Sequence, residues 1–144
     1  MSREEAWRRF VDSFEVEVPE EAIQSELAYI KLDLRHRMQY DRLTGGDAHV
    51  SPSQELAEQE EELLQAARFE AKEPRVVQAL QQQLQIGVTQ EELEAEARAL
   101  AARERTTVDA VRTFFGKDLA GLAPDVLRRK VIDWAVAHMG DNMA

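Results

Sequence analysis

Apolar residues recur at the three- and four-residue spacing of an α-helix along most of this chain. The clearest run follows Pro19, and its apolar side chains fall on one helical face: Ile23, Leu27, Ile30, Leu34 and Met38. The strict alternation of a half-buried strand occurs only at residues 14–18, FEVEV, which is too short to form a sheet by itself. The periodicity therefore predicts an all-α protein with five to seven helices.

Helix-start and helix-stop signals divide the chain into elements. Two kinds of residue mark helix starts: hydroxyl side chains, which can accept hydrogen bonds from first-turn N–H groups, and prolines, whose φ is helical. The six predicted starts are Ser2, Pro19, Ser51, Thr89, Thr106 or Thr107, and Pro124. Predicted ends lie at Thr44-Gly45-Gly46, Gly87, Gly116 and Gly140, with Gly87 in the left-handed conformation. An interior proline costs about 3 kcal/mol, so Pro74 predicts a kink or break at Glu73.

Two further sets of side chains are expected to face inward. The helix capped by Thr106 or Thr107 is predicted to pack through Val108, Val111, Phe114 and Phe115. The last helix is predicted to pack through Leu127, Val131, Trp134, Ala135 and Met139. Both predictions rest on the apolar character of these residues and on their approximate helical spacing.

The composition favours an elongated shape and restricts the partners. The chain has 144 residues, 44% of them hydrophobic, but many of these are alanines, which bury little area. The net charge of −10 disfavours nucleic acid, and leaves open whether the acidic surface serves solubility or basic partners. The chain has no cysteine, no apolar run of the ~20 residues that span a bilayer, and a start too charged for a signal peptide. A cytoplasmic protein without a membrane partner is expected.

No group of residues suggests catalysis. His36, His49 and His138 lie in three different predicted elements, and none has a metal-ligand partner at helical spacing. The sequence also lacks a carboxylate pair in apolar surroundings, a glycine-rich phosphate loop and a nucleophile elbow. No catalytic residue, metal site or cofactor is expected, and the chain is not predicted to be an enzyme.

The helix predicted over residues 19–43 has more apolar side chains than one face can hold. The surplus either covers a neighbouring helix in the same core or stays open as a patch for a partner chain. The helix predicted after Ser51 likewise carries Phe69 away from its leucine face. The candidate binding residues of the two helices are Tyr29, Leu32, Met38, Tyr40, Leu43 and Phe69.

Four stretches resemble the C-terminal domain of bacterial trigger factor. FEVEVPEEAIQSEL, at residues 14–27, resembles the start of that domain, and GVTQEELEAEARALAARERTTVDAVRTFF, at 87–115, is similar to its later segment. VLRRKVIDWAVAHM, at 126–139, resembles its last helix, and QAARFEAKEPRVVQAL, at 65–80, is a looser match. The resemblance covers about residues 10–139 in the right order, and periplasmic parvulin-type chaperones share a related module.

The resemblance implies an arm-bearing helical cradle at residues 13–139, with a short helix at 1–12 packed on the body and a flexible tail at 140–144. Its implied role is to hold unfolded or nascent polypeptides without ATP. The residues match neither the ribosome-docking domain nor the prolyl isomerase domain of the family, so neither activity is expected. Two alternatives remain open. One is a structural or assembly protein that homodimerises through the same helix surfaces, and the other is an adaptor for one specific partner.

Overall fold

A computed structural model describes residues 1–43 and 57–142, and these residues form six α-helices and a short 3-10 turn, with no strand. The all-α prediction and the helix count are confirmed. The elements are α1 (Arg3–Ser13), α2 (Glu20–Leu43), α3 (Glu60–Leu84), α4 (Gln90–Arg103), α5 (Val108–Phe115), the 3-10 turn (Ala120–Leu122) and α6 (Ala123–Asn142). The chain divides into two compact units, unit 1 (Met1–Phe10 with Val77–Ala144) and unit 2 (Val11–Val76). The predicted helix start at Ser51 lies outside the described residues.

The core of unit 2 lies between α2 and α3. Ile23 and Leu27 of α2 are buried against three residues of α3: Leu63, Ala67 and Ala71. Farther along α2, three half-buried residues pack against the same cluster: Ile30, Leu34 and Met38. The predicted apolar face of α2 therefore packs inward, because its spacing keeps every member on the side that meets α3.

The FEVEV segment before α2 is an extended link without strand pairing. Phe14, Val16 and Val18 are half-buried, whereas Glu15 and Glu17 are exposed. Val18 packs against the core of unit 2. In an extended backbone, successive side chains point to opposite sides, so the alternation lines one side of the link with apolar groups.

Helix α3 runs through Pro74 without interruption, so of the predicted kink or break at Glu73 the break is wrong. Ala71 and Val76, on either side of the proline, are 2% and 0% exposed. The Arg75 guanidinium also donates a hydrogen bond to the Ala71 carbonyl at 2.8 Å. Burial on both sides of the proline offsets the hydrogen bond that it removes, which sequence spacing cannot reveal.

The core of unit 1 is formed by α4, α5, the 3-10 turn and α6. Its buried residues are Leu93, Ala97, Ala101, Val111, Leu119, Leu122 and Val126. The predicted cap at Thr89 is confirmed as a reciprocal capping box. Thr89 Oγ1 accepts from the Glu92 N–H at 3.2 Å, and the Glu92 carboxylate accepts from the Thr89 N–H at 3.0 Å. Thr107, rather than Thr106, caps α5 by accepting from the Ala110 N–H at 3.1 Å.

Three details of the predicted helix ends and faces are wrong. Gln85, not Gly87, takes the left-handed conformation after α3, with φ of 53°, and the Ile86 N–H donates to the Gln81 carbonyl at 3.1 Å. This is a Schellman-type end that closes the helix two residues earlier. Phe114 is 82% exposed rather than inward. Helix α6 continues through the predicted end at Gly140 to Asn142.

The first turns of α1 pack on α6 within unit 1. Trp7 is 4% exposed and stacks on Phe10, with 5.9 Å between ring centroids. The edge of Phe10 meets Trp134 of α6 at 6.3 Å, and Arg3 forms an ion pair with Asp133. An aromatic cluster and one surface ion pair therefore anchor α1.

Candidate functional site

The outer side of α2 carries four exposed large side chains, here called the outer stripe: Tyr29, Leu32, Tyr40 and Leu43. Their exposed fractions are 69%, 50%, 67% and 86% respectively. At 3.6 residues per turn they fall within about 80° of one another, centred roughly 160° from the core-facing residues of the same helix. The stripe extends about 21 Å along the helix axis. Helix α2 is therefore apolar on two opposite sides, of which only one packs into the described core.

Two ion pairs involve residues of α2 outside the stripe. Lys31 of α2 pairs with Glu60 of α3 at 2.8 Å. Asp33 pairs with Arg37 one helical turn away at 3.0 Å. Exposed pairs of this kind add little stability, but the Asp33–Arg37 pair places charges of both signs along one edge of the stripe.

The structure brings together four of the six predicted binding residues. Met38 is half-buried and packs against the core of unit 2 instead. Its place four residues after Leu34 continues the inward spacing. Phe69 is half-buried on α3. Their roles in binding stay predictions, whereas the outer stripe has the exposure that a contact surface needs.

Phe114 is an exposed aromatic side chain, although its apolar character predicted an inward position. Its ring makes an edge-on contact with Phe115 at 4.8 Å. Val108, Val111 and Phe115 define the inward direction of α5, and Phe114 lies roughly 90° away from their mean direction. That angle is readable from the sequence and was the signal for an exposed position.

Unit 1 contains an open groove with a volume of about 670 Å³. Its lining combines two apolar side chains with charged groups of both signs: Arg3, Glu4, Trp7, Glu96, Arg103, Asp125, Arg128, Arg129, Ile132 and Asp133. Arg129 donates a hydrogen bond to the Glu96 carboxylate at 2.8 Å. That bond is the main reason why the pKa of Glu96 lies below its ordinary value. A carboxyl held ionised in this way is a poor proton donor near neutral pH.

Two more glutamates of α4 are held ionised by structural partners. The pKa of Glu92 is lowered first by the Thr89 N–H and then by Lys130 of α6, whose Nζ is 2.9 Å away. The pKa of Glu94 is lowered mainly by its hydrogen bond from Arg112 of α5. These pairs join α4 to its neighbours, which gives the perturbed pKa values a structural origin.

The described residues offer no assembled metal site. No group of three or more His, Asp or Glu side chains that could hold an ion occurs in residues 1–43 and 57–142. His36 lies exposed on α2, and His138 stacks on Trp134 at 4.1 Å between ring centroids. His49 lies outside the described residues.

None of the helices described is both long enough and apolar enough to cross a membrane.

Comparison with known proteins decides the family. Residues 2–137 match the family model described as bacterial trigger factor protein C-terminus. The chain belongs to this family. The trigger factor of Carboxydothermus hydrogenoformans is 28% identical over 134 residues, which cover 93% of this chain and 31% of the relative. The trigger factor of Moorella thermoacetica is 28% identical over 123 residues, which cover 85% of this chain and 27% of the relative.

The chain therefore spans less than a third of the length of these two trigger factors. No solved structure gives a significant match. Both the outer stripe of α2 and the groove of unit 1 lie inside the residues that match the trigger factor C-terminus family. The match agrees with the four sequence stretches that resemble this family.

Proposed function

We propose that this chain is an ATP-independent chaperone module that binds unfolded or nascent polypeptides through the outer stripe of α2. Membership in the trigger factor C-terminus family supports a chaperone function. The observation that carries the proposal is the exposure of Tyr29, Leu32, Tyr40 and Leu43 opposite the packed side of the same helix. Large apolar side chains grouped in this way mark contact surfaces in soluble proteins.

The stripe is suited to weak and unspecific contact. An unfolded chain exposes apolar segments that a folded protein hides, and covering them with Tyr and Leu side chains removes apolar area from water. Each contact is small, so tight holding requires several contacts at once. The net charge of −10 keeps the chain and its client in solution, because like-charged complexes repel one another.

The module acts in the cytoplasm and needs no cofactor. It neither docks on ribosomes nor catalyses prolyl isomerisation. A proline-containing test peptide should isomerise at the same rate with and without the protein. Acceleration of that reaction would contradict this part of the proposal.

An aggregation assay with a fourfold variant tests the binding surface. Several unrelated denatured proteins are diluted into buffer at low chaperone concentration, and light scattering is followed. The variant replaces every residue of the outer stripe by serine, and Phe114→Ser is the matched control, because it removes an exposed aromatic group from unit 1. Wild type and control should suppress scattering, and the stripe variant should lose most of that effect.

Circular dichroism separates loss of binding from loss of folding. The stripe side chains are at least half exposed, so the variant should keep the helical signal of the wild type. Unchanged client protection in a folded stripe variant would refute the proposed surface. Wild-type protein that suppresses no aggregation at all would instead favour an assembly protein or a specific adaptor.

A further inference from the structure

Side chains, rather than close backbone packing, hold the first turns of α1 on α6. Trp7 and Phe10 stack on one another, with 5.9 Å between ring centroids, and Phe10 meets the edge of Trp134 at 6.3 Å. The ion pair between Arg3 and Asp133 joins side chains that are 49% and 57% exposed, so it adds little to this contact. The attachment of α1 to α6 therefore depends mainly on aromatic rings.

Helix α1 does not fill the space beside α6. The groove of about 670 Å³ runs along this contact, with Trp7 of α1 and Ile132 of α6 in its lining. Closely packed helices leave little space between them, whereas this volume falls within the roughly 300–1,000 Å³ of pockets that hold ligands. The core of unit 1 is formed by α4, α5, the 3-10 turn and α6. The first turns of α1 can therefore leave α6 without opening that core.

We propose that α6 carries a peptide-binding surface that α1 occupies within the same chain and that a segment of an unfolded client takes when α1 leaves. This surface, called the α1 seat, consists of Ile132, Asp133 and Trp134. The client role of the seat rests on the proposed function of the chain.

The segment that occupies the seat defines the kind of partner that fits it. Trp7 and Phe10 are three residues apart, which places both rings on one side of a helix. Arg3 lies one turn before Trp7 and pairs with Asp133. A client segment with two aromatic residues three positions apart, preceded one turn earlier by a basic residue, would make the same contacts as α1.

The length of α1 makes it displaceable. The helix has 11 residues, and isolated helices shorter than about 12–15 residues are marginal in water, so α1 depends on its packing. Its covalent link to the rest of the chain gives it an effective concentration of order mM at the seat. The open state is then a minor one, of order 0.1–10%. An external segment should therefore bind the wild-type chain about 10- to 1,000-fold more weakly than it binds an empty seat.

Binding of a synthetic peptide tests the seat directly. The probe is a fluorescent peptide with the sequence of residues 1–13, and its anisotropy is measured with the full chain. Trp7→Ser combined with Phe10→Ser empties the seat, and this variant should bind the peptide at least about tenfold more tightly than wild type. Arg9→Ser is the matched control, because Arg9 is exposed on the same helix, and it should bind like wild type. A peptide with alanine at both aromatic positions should bind to none of these proteins.

A second variant keeps both aromatic residues of α1. Arg3→Glu places a carboxylate beside Asp133, and both positions are about half exposed, so the fold should be retained. This variant should bind the peptide about two- to fivefold more tightly than wild type, because repulsion replaces a weak surface ion pair. Circular dichroism checks that each variant keeps the helical signal. Equal peptide binding by wild type and by the folded variants would overturn the proposal.

Competition with a client separates the seat from the proposed function. A denatured protein rich in aromatic residues should displace the peptide from the variant with the emptied seat, and failure to displace it would overturn the client role of the seat. The fourfold outer-stripe variant should bind the peptide like wild type, because the stripe lies in unit 2 and the seat in unit 1. Tight peptide binding by the emptied seat, together with a wild-type chain that suppresses no aggregation, would support the seat and refute the proposed function.

Discussion

Leu27 and Leu32 allow the two sides of α2 to be compared with one substitution. Leu27 is 6% exposed in the core of unit 2, whereas Leu32 is 50% exposed on the outer stripe. Leu27→Ala removes buried apolar area and leaves a cavity, which costs about 2–5 kcal/mol. Leu32→Ala encloses no cavity, and half of the side chain is already in water. Full burial of a leucine contributes roughly 1.5–3 kcal/mol, and half of that is about 0.8–1.5 kcal/mol. Because alanine keeps the Cβ, the expected loss at Leu32 is below about 1 kcal/mol.

Urea unfolding followed by circular dichroism measures both free energies of unfolding. With a slope of about 2 kcal/mol per molar urea, Leu27→Ala should lower the midpoint by about 1–2.5 M, and Leu32→Ala by less than about 0.5 M. Both tryptophans, Trp7 and Trp134, lie in unit 1. Their fluorescence therefore follows unit 1 separately while the helical signal follows the whole chain.

Client protection should depend more on the side chain of Leu32 than on that of Leu27, which is the opposite of the order for stability. Leu32→Ala should weaken suppression of aggregation in the assay above, although it barely changes stability. Leu27→Met keeps the core volume, costs less than about 1.5 kcal/mol and should leave protection intact. Equal destabilisation by the two alanine substitutions would refute the assignment of Leu32 to an outer surface. Full protection by Leu32→Ala would exclude this side chain from client binding.

Three further predictions concern unit 1. Gly121→Ala should lower the free energy of unfolding by about 1–3 kcal/mol in thermal melts, because an added Cβ would lie 2.9 Å from a backbone carbonyl oxygen. Gly87→Ala is the control: an added Cβ there has no atom within 4 Å, so the substitution should be neutral or slightly stabilising. Thr89→Ala should cost about 1 kcal/mol by removing the capping box of α4, and Thr89→Ser should restore most of it. Arg129 lowers the pKa of Glu96 below 4.5, so its stabilisation is present above pH 4.5 and is lost as the pH falls through the folded pKa. Glu96→Gln should therefore lower the Tm at neutral pH, and the difference from wild type should shrink on acidification; a constant difference would refute this linkage.

Local signals were sufficient for most helix boundaries. Thr89, Thr107 and Gly116 mark helix ends through groups within four residues of themselves, so their role is readable without any tertiary contact. The same holds for the apolar faces of α2, because spacing alone places Ile23 and Leu27 on one side of the helix.

Errors arose where packing or a competing backbone conformation decided the result. Pro74 should interrupt an isolated helix, but buried neighbours keep α3 continuous. Gln85 takes the left-handed position that glycine usually occupies, which ends α3 before Gly87. Phe114 was assigned to the core for its chemistry, although its angle on α5 leaves it in solvent.

The candidate surface was predicted in part. The surplus of apolar residues on α2 named all four members of the outer stripe, but the candidate set also included Met38, whose spacing continues the inward face and which packs inward. An apolar residue is buried only if another element covers it, and the sequence of one helix does not specify that element.

The sequence by itself determined that this chain is helical, where its capped helices begin, and that α2 is apolar on two opposite sides. Backbone hydrogen bonds and capping groups act over one helical turn, so local sequence is enough to set these features. Only the tertiary structure decided which side of α2 packs against α3 and which stays in solvent. That choice depends on Leu63, Ala67 and Ala71, which lie far along the chain and remove one side of α2 from water once the helices meet.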